Sequence, residues 1–380
     1  SGPPPAHSFV RGHGPGAVTS APGEEAEGAM ERLIARLRRD PRIGSCVVHQ
    51  GVSPAAAPQH ATPRHGWPDG SEACMAALGA RQLYSHQAEV LDAATRGHNC
   101  VVATPTASGK TLAYLLAYSA RRQGDPDARA LFLYPLKALA RDQLGVIRKF
   151  LEPLGLQLGA AAEVYDGDTP EAARRRIRRQ PPAALITNPD MLHMGLLAYH
   201  DAWSSFLRSL KLIVIDEAHV YRGVFGAHVH HVLRRLLRLV RHYGGDPVIV
   251  AGSATIGGPG ELLETLTGEP VEVIDRSGAP TSTRHVLFLE PETVSPYTVA
   301  THTVARCVEA GHKTIAFTKA RRITELMHRW LAEGFPHLAP RVTSYRAGYL
   351  PEERREIESR LFRGRLDGVI STSALEAGID

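Results

Sequence analysis

Short apolar segments alternate with longer helical patterns from Leu83 onward, and this alternation restricts the fold more than any other feature of the chain. The first series of apolar, often β-branched segments is Val101–Ala103, Ala130–Tyr134, Ala184–Thr187, Leu212–Ile215 and Val248–Ala251. Strands that alternate with helices form βαβ units, and strands that are apolar throughout are typical of parallel sheets covered on both faces. The pattern therefore predicts an α/β fold.

The predicted helices of this first series are residues 113–122, 136–151, 171–179 and 228–243. A second series of strands is predicted at Val286–Leu289, Thr314–Phe317, Arg341–Ser344 and Gly368–Ser371. The residues between the two series, 277–284, are rich in Ser, Thr, Gly and Pro, a composition typical of a connector. We therefore predict two parallel-sheet domains in tandem.

The chain divides into four predicted segments. Residues 1–25 are expected to be a disordered N-terminal or tag segment, because ten of the first 23 residues are Gly or Pro and few large apolar side chains can be buried. Residues 26–70 are expected to form one amphipathic helix followed by an extended arm. Residues 71–278 form the predicted first α/β domain, and residues 285–380 form the second.

The composition limits the partners and the compartment. With 44 basic and 39 acidic residues the net charge is +5, which allows a polyanionic partner without requiring one. Only six basic residues are lysines, so clusters of the abundant arginine are weak evidence for phosphate binding. The four cysteines form no CxxC pair, which argues against a zinc ribbon or a disulfide scaffold. Because no apolar run approaches the roughly 18 residues of a membrane span, we expect a soluble cytoplasmic protein without a membrane partner.

The segment Thr104-Pro-Thr-Ala-Ser-Gly-Lys-Thr111 lies between a predicted strand and a predicted helix. It matches the triphosphate-binding loop GxxxxGK[ST], except that Thr104 replaces the first glycine. Lys110 is expected to reach the β- and γ-phosphates, and the Thr111 hydroxyl to bind Mg²⁺. The loop residues expected around the phosphates are Thr104, Thr106, Ser108 and Gly109. The alternative is an ordinary Gly-Lys-Thr turn.

An acidic motif, Asp216-Glu-Ala-His219, follows the predicted strand Leu212–Ile215. Side chains at the carboxyl end of a strand face the ligand crevice of an open α/β sheet. Asp216 fits a ligand of Mg²⁺, and Glu217 fits the base that orients or deprotonates the attacking water. Together with the upstream loop, this motif indicates hydrolysis of a nucleoside triphosphate rather than a surface acidic turn.

Further motifs occur in a fixed order around these two. They are Tyr84-Ser-His-Gln87, Tyr134-Pro-Leu-Lys-Ala-Leu-Ala140 with Gln143, Thr187-Asn-Pro-Asp190, Ser253-Ala-Thr255, Phe317-Thr-Lys-Ala-Arg321 and Ser371-Thr-Ser-Ala-Leu-Glu-Ala-Gly-Ile-Asp380. With this set the chain resembles a superfamily 2 helicase of the DEAH-containing kind. Four more segments resemble the MrfA/YprA group of bacterial DNA-repair helicases, which is related to the fungal RecQ4-like enzymes: Asp40-Pro-Arg42, Leu83–Gln87, His219–Gly226 and Tyr345–Tyr349.

The resemblance implies two RecA-like domains that bind ATP between them. It implies that Gln87 reads the adenine edge, for which an amide has a suitable donor and acceptor. Tyr84 either stacks near the base or is a packed aromatic side chain. Asp380 matches a position that faces the ribose or the cleft between domains. Three residues are implied to couple the γ-phosphate to domain closure: His219, Ser253 and Thr255.

The resemblance also implies a track for single-stranded nucleic acid. Its residues are Lys137, Thr187 and Asn188 in the first domain and Thr318, Arg321, Arg346 and Thr372 in the second. Small donors at these positions suit contacts to phosphate and sugar without base selection. Lys137 is favoured because lysine is rare in this chain. Each of these residues can equally be an ordinary loop residue or a solvated charge.

Two other clusters have simpler interpretations. The arginines of residues 174–179 and of residues 234–241 are expected to be solvated helix faces, because each set flanks apolar residues at helical spacing. The histidines His228, His230 and His231 are expected to be surface or core residues, because they lack the spacing and the cysteine partners of a zinc motif.

The chain ends inside the motif that contains Ala374 to Asp380. The resemblance implies a further arginine-bearing motif and a C-terminal domain with a four-cysteine zinc site, and neither occurs in these 380 residues. We therefore expect a fragment of a longer enzyme, with an incomplete second domain. An arginine that reaches the γ-phosphate can contribute roughly 10³ to 10⁵ in rate, so this chain is expected to bind ATP and hydrolyse it poorly.

The combined expectation is an ATP-dependent 3′–5′ DNA helicase or translocase that acts on single-stranded DNA or 3′-tailed duplexes in DNA repair. Its cofactors are ATP and Mg²⁺, a repair nuclease is a possible partner, and its expected location is the bacterial nucleoid. Two alternatives stay open. One is an RNA helicase, because motifs that follow the backbone do not report on the 2′-hydroxyl. The other is a nucleic-acid clamp that uses ATP only as a conformational switch.

Overall fold

A computed structural model of the protein describes residues 22–156, 158–346, 348–372 and 375. The chain divides into two compact units. The nucleotide unit, as we call it for its phosphate-loop motif, takes its described residues from Pro54–Ser282. The terminal unit takes them from Ser1–Ser53 and Thr283–Glu376. The N-terminal residues thus join the C-terminal part of the chain, which the predicted limits of 26–70 and 285–380 do not anticipate.

The strands among the described residues are β1 (Val47–Ser53), β2 (His60–Ala61), β3 (Leu83–Tyr84), β4 (Cys100–Ala103), β5 (Arg129–Leu133), β6 (Ala162–Val164), β7 (Ala184–Thr187), β8 (Leu210–Ile215), β9 (Val248–Ser253), β10 (Glu272–Ile274), β11 (Arg284–Leu289), β12 (Thr314–Phe317), β13 (Val342–Tyr345) and β14 (Gly368–Ser371). The α-helices are α1 (Pro22–Arg39), α2 (Ser71–Ala77), α3 (Ser85–Thr95), α4 (Lys110–Arg122), α5 (Lys137–Leu151), α6 (Leu158–Ala161), α7 (Glu171–Arg179), α8 (Pro189–Met191), α9 (Ser204–Arg208), α10 (Gly223–His242), α11 (Pro259–Thr267), α12 (Pro296–Glu309), α13 (Arg321–Gly334) and α14 (Pro351–Phe362). Short 3-10 turns occupy Gly44–Cys46, Glu152–Leu154, Leu197–Trp203, Ala218–Val220 and Pro336–Leu338, and a π-helical turn occupies Leu192–Leu196.

The nucleotide unit is built around a seven-stranded parallel sheet in the order β10-β4-β9-β8-β5-β7-β6. Its five central strands are almost entirely buried. One face packs against apolar residues of α3, α4 and α5, and the other packs against α10 and α11. Burial on both faces explains why these strands are continuous apolar runs, and it confirms the predicted parallel α/β sheet.

The terminal unit contains a three-stranded parallel sheet in the order β12-β14-β13, with α12 and α13 packed against it. The predicted strand Val286–Leu289 does not extend this sheet. It lies in β11, which pairs antiparallel with β1 in a separate two-stranded sheet. Alternate residues of β11 are exposed, as in a strand that is covered on one face. Leu33 and Leu37 of α1 pack with residues of this unit on the covered side.

Candidate active site

The predicted nucleotide residues follow the carboxyl ends of three neighbouring strands. Thr104 follows β4, Ser253 ends β9 and Asp216 follows β8. Strand β9 lies between β4 and β8 in the sheet. Since parallel strands present their carboxyl ends at one edge, the loop, the acidic motif and the Ser-Ala-Thr motif share that edge. The sheet therefore assembles motifs that are far apart in the sequence.

The loop between β4 and α4 has an unusual backbone. Gly109 precedes the first residue of α4 with a φ of 80°, and Ala107 has a φ of 60°. Glycine adopts a positive φ without strain, and a Cβ at position 109 would also lie 2.5 Å from Nε2 of Gln87. Successive amides in such a conformation form a concave surface that binds anions. The loop can therefore receive phosphate through its backbone.

Lys110 lies at the start of α4. Its Nζ donates to the carbonyl oxygens of Thr104 and Pro105 at 3.0 and 3.1 Å. The hydroxyls of Thr104 and Ser108 are 2.7 Å apart and buried. The Thr111 hydroxyl donates to Oε1 of Gln143 at 3.0 Å, whereas Thr106 is exposed. The ammonium group is thus held over the loop by carbonyl oxygens, contacts that a triphosphate could replace.

Gln87 is tied to this loop. Its Nε2 donates to the Gly109 carbonyl at 2.9 Å, and its Oε1 accepts from the Tyr84 amide at 2.9 Å. The Tyr84 ring stacks on His60 and His86, with ring centroids 5.4 and 6.0 Å away. Gln87 therefore orients the loop, and its reading of adenine stays a prediction. Tyr84 has the contacts of a packed aromatic side chain, and its stacking on a base also stays a prediction.

Asp216 is buried beneath the sheet edge. Its Oδ1 accepts a hydrogen bond of 2.9 Å from the Tyr114 hydroxyl. Burial raises the pKa of Asp216, although the Tyr114 hydrogen bond and the Lys110 charge act in the opposite direction. A buried carboxylate is costly unless a cation lies beside it. Asp216 therefore lies where a cation ligand would lie, directly after β8 at the carboxyl edge of the sheet.

A hydroxyl oxygen from Thr111 and a carboxylate oxygen from Asp216 are the ligand types that Mg²⁺ prefers. Over the described ranges, no group of three or more His, Cys, Asp or Glu side chains could hold a metal ion unaided. Mg²⁺ usually takes most of its ligands from water and substrate phosphates. The two residues therefore fit an ion that arrives with the triphosphate.

His219 connects the acidic motif to the Ser-Ala-Thr motif. Its Nδ1 accepts a hydrogen bond of 3.1 Å from the Ala254 amide. Nε2 therefore carries the ring proton, and it lies 3.3 Å from Oε2 of Glu217. Ser253 is buried, and its hydroxyl has no hydrogen-bond partner among the residues that the structure describes. Thr255 is exposed. The motifs on β8 and β9 are thus physically linked.

The predicted nucleic-acid residues of the nucleotide unit follow β5 and β7. Lys137 Nζ contacts Asp168 at 2.8 Å on the surface. Thr187 is buried and donates to the Tyr165 carbonyl at 2.6 Å. Asn188 caps α8 by accepting the Met191 amide at 2.8 Å. Lys137 is therefore accessible to a nucleic-acid strand, whereas the side chains of Thr187 and Asn188 stabilise local structure.

In the terminal unit, the corresponding residues follow β12, β13 and β14. The Thr318 hydroxyl lies 2.7 Å from that of Thr324, and Arg321 is exposed at the start of α13. Arg346 donates to Glu325 at 2.7 Å, and its guanidinium lies 4.7 Å from the centre of the Tyr349 ring. Thr372 is half-buried after β14. Asp380 lies outside the described residues. These nucleic-acid contacts stay predictions.

Two residues of the site, Tyr114 and His86, were not identified from the sequence. Tyr114 falls inside the predicted helix 113–122, where an aromatic side chain indicates core packing rather than a bond to Asp216. His86 was quoted only as part of a motif, yet it is buried against the loop and bonds the Ser108 carbonyl at 3.0 Å. For Tyr114, a polar atom among the apolar residues of a predicted helix was the available signal. For His86, which lies in a segment without a predicted helix, no comparable signal was present in the sequence.

Comparison with known proteins gives the family. Residues 84–262 match the family model described as DEAD/DEAH box helicase. The Bacillus subtilis protein YprA, named as an uncharacterized ATP-dependent helicase, is 41% identical over 319 residues that cover 81% of this chain and 42% of YprA. The chain belongs to the DEAD/DEAH-box helicases.

The chain is also similar to two further helicases. The Saccharomyces cerevisiae ATP-dependent helicase HRQ1 is 36% identical over 314 residues, which cover 78% of this chain and 29% of HRQ1. A crystal structure of the DUF1998 helicase MrfA bound to DNA superposes with a TM-score of 0.84 at 37% identity and covers 92% of this chain and 50% of MrfA. These matches agree with the resemblance of the chain to the MrfA/YprA group of superfamily 2.

The chain spans half or less of the length of these relatives. A second MrfA structure, with DNA and AMPPNP, superposes with a TM-score of 0.83. Among the described helices, none is both long enough and apolar enough to cross a lipid bilayer. The family model and the similarity to YprA confirm the family, and the superposition with MrfA confirms the RecA-like fold.

Proposed function

We propose that this chain is the ATP-hydrolysing and strand-binding core of a DNA helicase that moves 3′ to 5′ along single-stranded DNA or a 3′-tailed duplex in DNA repair. The observation that carries the proposal is the arrangement of Lys110, Asp216 and His219 at one edge of the parallel sheet. The relative MrfA, whose structures contain DNA and AMPPNP, supports the choice of DNA and of ATP. Location in the bacterial nucleoid and a repair nuclease as partner belong to the same proposal.

Lys110 and Glu217 perform the chemistry in this proposal. Lys110 exchanges the carbonyl oxygens of Thr104 and Pro105 for the β- and γ-phosphate oxygens, where its charge stabilises the transition state. Glu217 orients the attacking water and accepts its proton. Thr111 and Asp216 hold Mg²⁺, which when bound neutralises charge on the phosphates. A zinc site is proposed only for a C-terminal domain outside these 380 residues.

The link from His219 to Ala254 transmits the state of the nucleotide. Nε2 of the His219 imidazole lies 3.3 Å from Glu217 Oε2, and Nδ1 of the same ring accepts the Ala254 amide, so movement of the carboxylate after hydrolysis changes the position of the segment that follows β9. The Ser253 hydroxyl and the exposed Thr255 lie on that segment. Lys137, Arg321 and Arg346 contact DNA phosphates, and Thr318 and Thr372 add neutral donors. Thr187 and Asn188 contribute through their backbone positions.

The decisive experiment measures ATP hydrolysis and unwinding by the full-length protein. We expect single-stranded DNA to stimulate hydrolysis and a 3′-tailed duplex to be unwound in preference to a 5′-tailed one. Lys110→Ala and Glu217→Gln should each lower the rate of hydrolysis by about 100-fold or more, because each removes charge or a base from the transition state. Lys149→Ala, a change at an exposed lysine of the same unit, should have no effect.

Three other outcomes would favour a different function or contradict the assigned site. Greater stimulation by single-stranded RNA than by DNA would indicate an RNA helicase. ATP binding without unwinding of any tailed duplex would indicate a clamp. Full activity in Lys110→Ala would contradict the assigned site itself.

A further inference from the structure

His86 is buried beside the phosphate-binding loop and is hydrogen-bonded through both ring nitrogens. Nε2 lies 3.0 Å from the Ser108 carbonyl oxygen, and the Gly278 amide nitrogen lies 3.1 Å from Nδ1. A carbonyl oxygen can only accept and a backbone amide can only donate. The proton must therefore be on Nε2 and the lone pair on Nδ1. The two contacts together fix one neutral tautomer of the imidazole.

The surroundings keep this ring neutral. Burial lowers the pKa of His86, and although the Ser108 carbonyl acts to raise it, the Lys110 charge lowers it further. A protonated ring would also direct an Nδ1–H at the Gly278 N–H. The neutral form is therefore the one that makes both contacts.

On one side, His86 helps to orient the loop. His86 and Gln87 donate to consecutive carbonyl oxygens, those of Ser108 and Gly109. In a planar trans peptide the N–H points away from the carbonyl of the same unit. Holding these two carbonyls therefore turns the amides of Gly109 and Lys110 away from His86, which is the orientation that a phosphate-binding loop needs.

On the other side, His86 holds the connector, which we define as residues 277–282. Gly278 accepts a hydrogen bond from the Gln59 amide at 2.8 Å, and the Gln59 carbonyl accepts one from the Ser85 amide at 2.8 Å. A Cβ at position 278 would lie 2.5 Å from the Gln59 carbonyl oxygen and 2.6 Å from the Ser85 nitrogen. Only glycine lets the connector approach this closely. The boundary between the two units lies at the end of the connector, immediately after Ser282.

We propose that His86 is a positioning residue that couples the phosphate-binding loop to the connector, with Nε2 holding Ser108 and Nδ1 holding Gly278. The inference rests on the proposed function, because it assigns the phosphates to this loop. The imidazole is rigid, so a shift of the Ser108 carbonyl moves the acceptor of the Gly278 amide. Occupation of the loop by a triphosphate thereby changes the hydrogen bonding of the segment that leads to the other unit.

Hydrogen exchange on the full chain tests this coupling. AMPPNP binding is measured first by calorimetry, and amide exchange of the connector is then compared with and without AMPPNP. We expect AMPPNP to change the exchange rate of the Gly278 amide by about fivefold or more, the lower end of ordinary coupling between two sites. The other unit needs no change in position for this result.

Two variants separate the two bonds. His86→Asn keeps an acceptor near the position of Nδ1 and loses the donor to Ser108, so AMPPNP affinity should fall by about three- to tenfold, the value of one hydrogen bond. His86→Gln keeps a donor near Nε2 and loses the acceptor for Gly278, so affinity should stay within about twofold. Both variants should abolish the effect of AMPPNP on Gly278. His60→Gln, a histidine that stacks on Tyr84 without touching the loop, is the matched control.

The measurement on the unaltered chain decides the matter even if a variant folds poorly. Tight AMPPNP binding with unchanged exchange at Gly278 would overturn the coupling and leave the nucleotide site in place. If AMPPNP does not bind at all, the proposed function fails and the coupling fails with it. A response in both His86 variants equal to that of the unaltered chain would also overturn it.

Discussion

The hydroxyl of Tyr114 and the carboxylate of Asp216 meet at 2.9 Å in the interior of the nucleotide unit. Burial, followed by the Asp216 charge, raises the pKa of Tyr114 well above its ordinary value, so the phenol stays a donor. Gly252 on β9 completes the arrangement, since a Cβ there would collide with both the Tyr114 hydroxyl and Asp216 Oδ1. The orientation of the Asp216 carboxylate is therefore determined by β8, which it follows, by Tyr114 of α4 and by Gly252 of β9.

Replacement of Tyr114 by Phe tests this arrangement. The ring remains packed, but Asp216 loses its donor, so we expect the free energy of unfolding to fall by about 1.5–3 kcal/mol, as for other hydrogen bonds to charged groups. We also expect ATP turnover by the full-length protein to fall by about tenfold, because the carboxylate is no longer held toward the nucleotide. Urea denaturation and steady-state turnover measure the two effects.

Tyr118→Phe is the control on the same helix. Its hydroxyl donates to the Ala128 carbonyl at 2.8 Å, away from the acidic motif. This variant should lose stability and keep its turnover. If both variants lose turnover to the same degree, the assigned role of Tyr114 is wrong.

At the scale of elements, Asp40 joins the end of α1 to α12. Its Oδ2 accepts from Arg306 Nε at 2.8 Å, and its Oδ1 accepts from the Arg42 amide at 3.0 Å. Arg306 also contacts Glu309 at 3.0 Å, which Arg36 of α1 reaches at 2.8 Å. The segment Asp40-Pro-Arg42, which carries part of the resemblance to the MrfA/YprA group, therefore has a structural role. It follows the end of α1 and attaches this helix to α12 of the terminal unit.

Asp40→Asn should destabilise the terminal unit. Burial acts to raise the pKa of Asp40, but hydrogen bonds from Arg306 and Arg42 outweigh it and hold the pKa below the ordinary 3.8. The charged form therefore contributes stability that is present above pH 3.8 and is lost as the pH falls through the lowered value. We expect the variant to lose about 1–3 kcal/mol at neutral pH by urea denaturation.

The same comparison at acid pH provides the internal check. The difference between the unaltered chain and Asp40→Asn should shrink once Asp40 is protonated. Asp69→Asn, at an exposed position of the nucleotide unit, should leave stability unchanged. A difference that does not depend on pH would contradict the role of the charge.

The elements that could be predicted are those whose own residues form a recognisable apolar pattern. Strands β7, β12 and β14 coincide with the predicted segments, because each is a short apolar run in the sequence. Strands β7 and β14 are buried along their whole length, whereas alternate residues of β12 are exposed. Helix α10 begins at Gly223, earlier than the predicted residue 228. The pairing of β11 was not predictable, because its partner β1 is distant in sequence and the neighbouring series suggested a parallel sheet. Contacts such as that between Tyr114 and Asp216 depend on packing that no local pattern reports.

At the scale of the whole molecule, the terminal unit depends on residues from both sides of the nucleotide unit. Leu33 and Leu37 of α1 pack with Leu287, Leu289 and Val299, which come from β11 and α12. Deletion of residues 1–53 would expose this cluster and remove β1 from β11. Each large apolar side chain that loses its burial costs about 1.5–3 kcal/mol. The terminal unit is therefore not self-sufficient without the N-terminal residues.

This dependence predicts two separable thermal transitions. In calorimetry, deletion of residues 1–53 should lower one transition by roughly 10 °C or more, since a loss of 1 kcal/mol lowers the Tm of a small unit by about 4–8 °C. The other transition, and the affinity for ADP, should stay unchanged because the nucleotide residues described here lie in Pro54–Ser282. A single transition that shifts as a whole would show that the two units do not unfold separately.

The pairing of β1 with β11 also has a consequence for biosynthesis. Ser53 pairs with Arg284, so β1 emerges from the ribosome about 230 residues before its partner and, at about 5–20 residues per second, waits roughly 10–50 s for it. The nucleotide unit can fold during that interval, while the backbone edge of β1 that pairs with β11 in the folded chain has no partner. The nascent chain is then most vulnerable to aggregation before residue 289 has been translated.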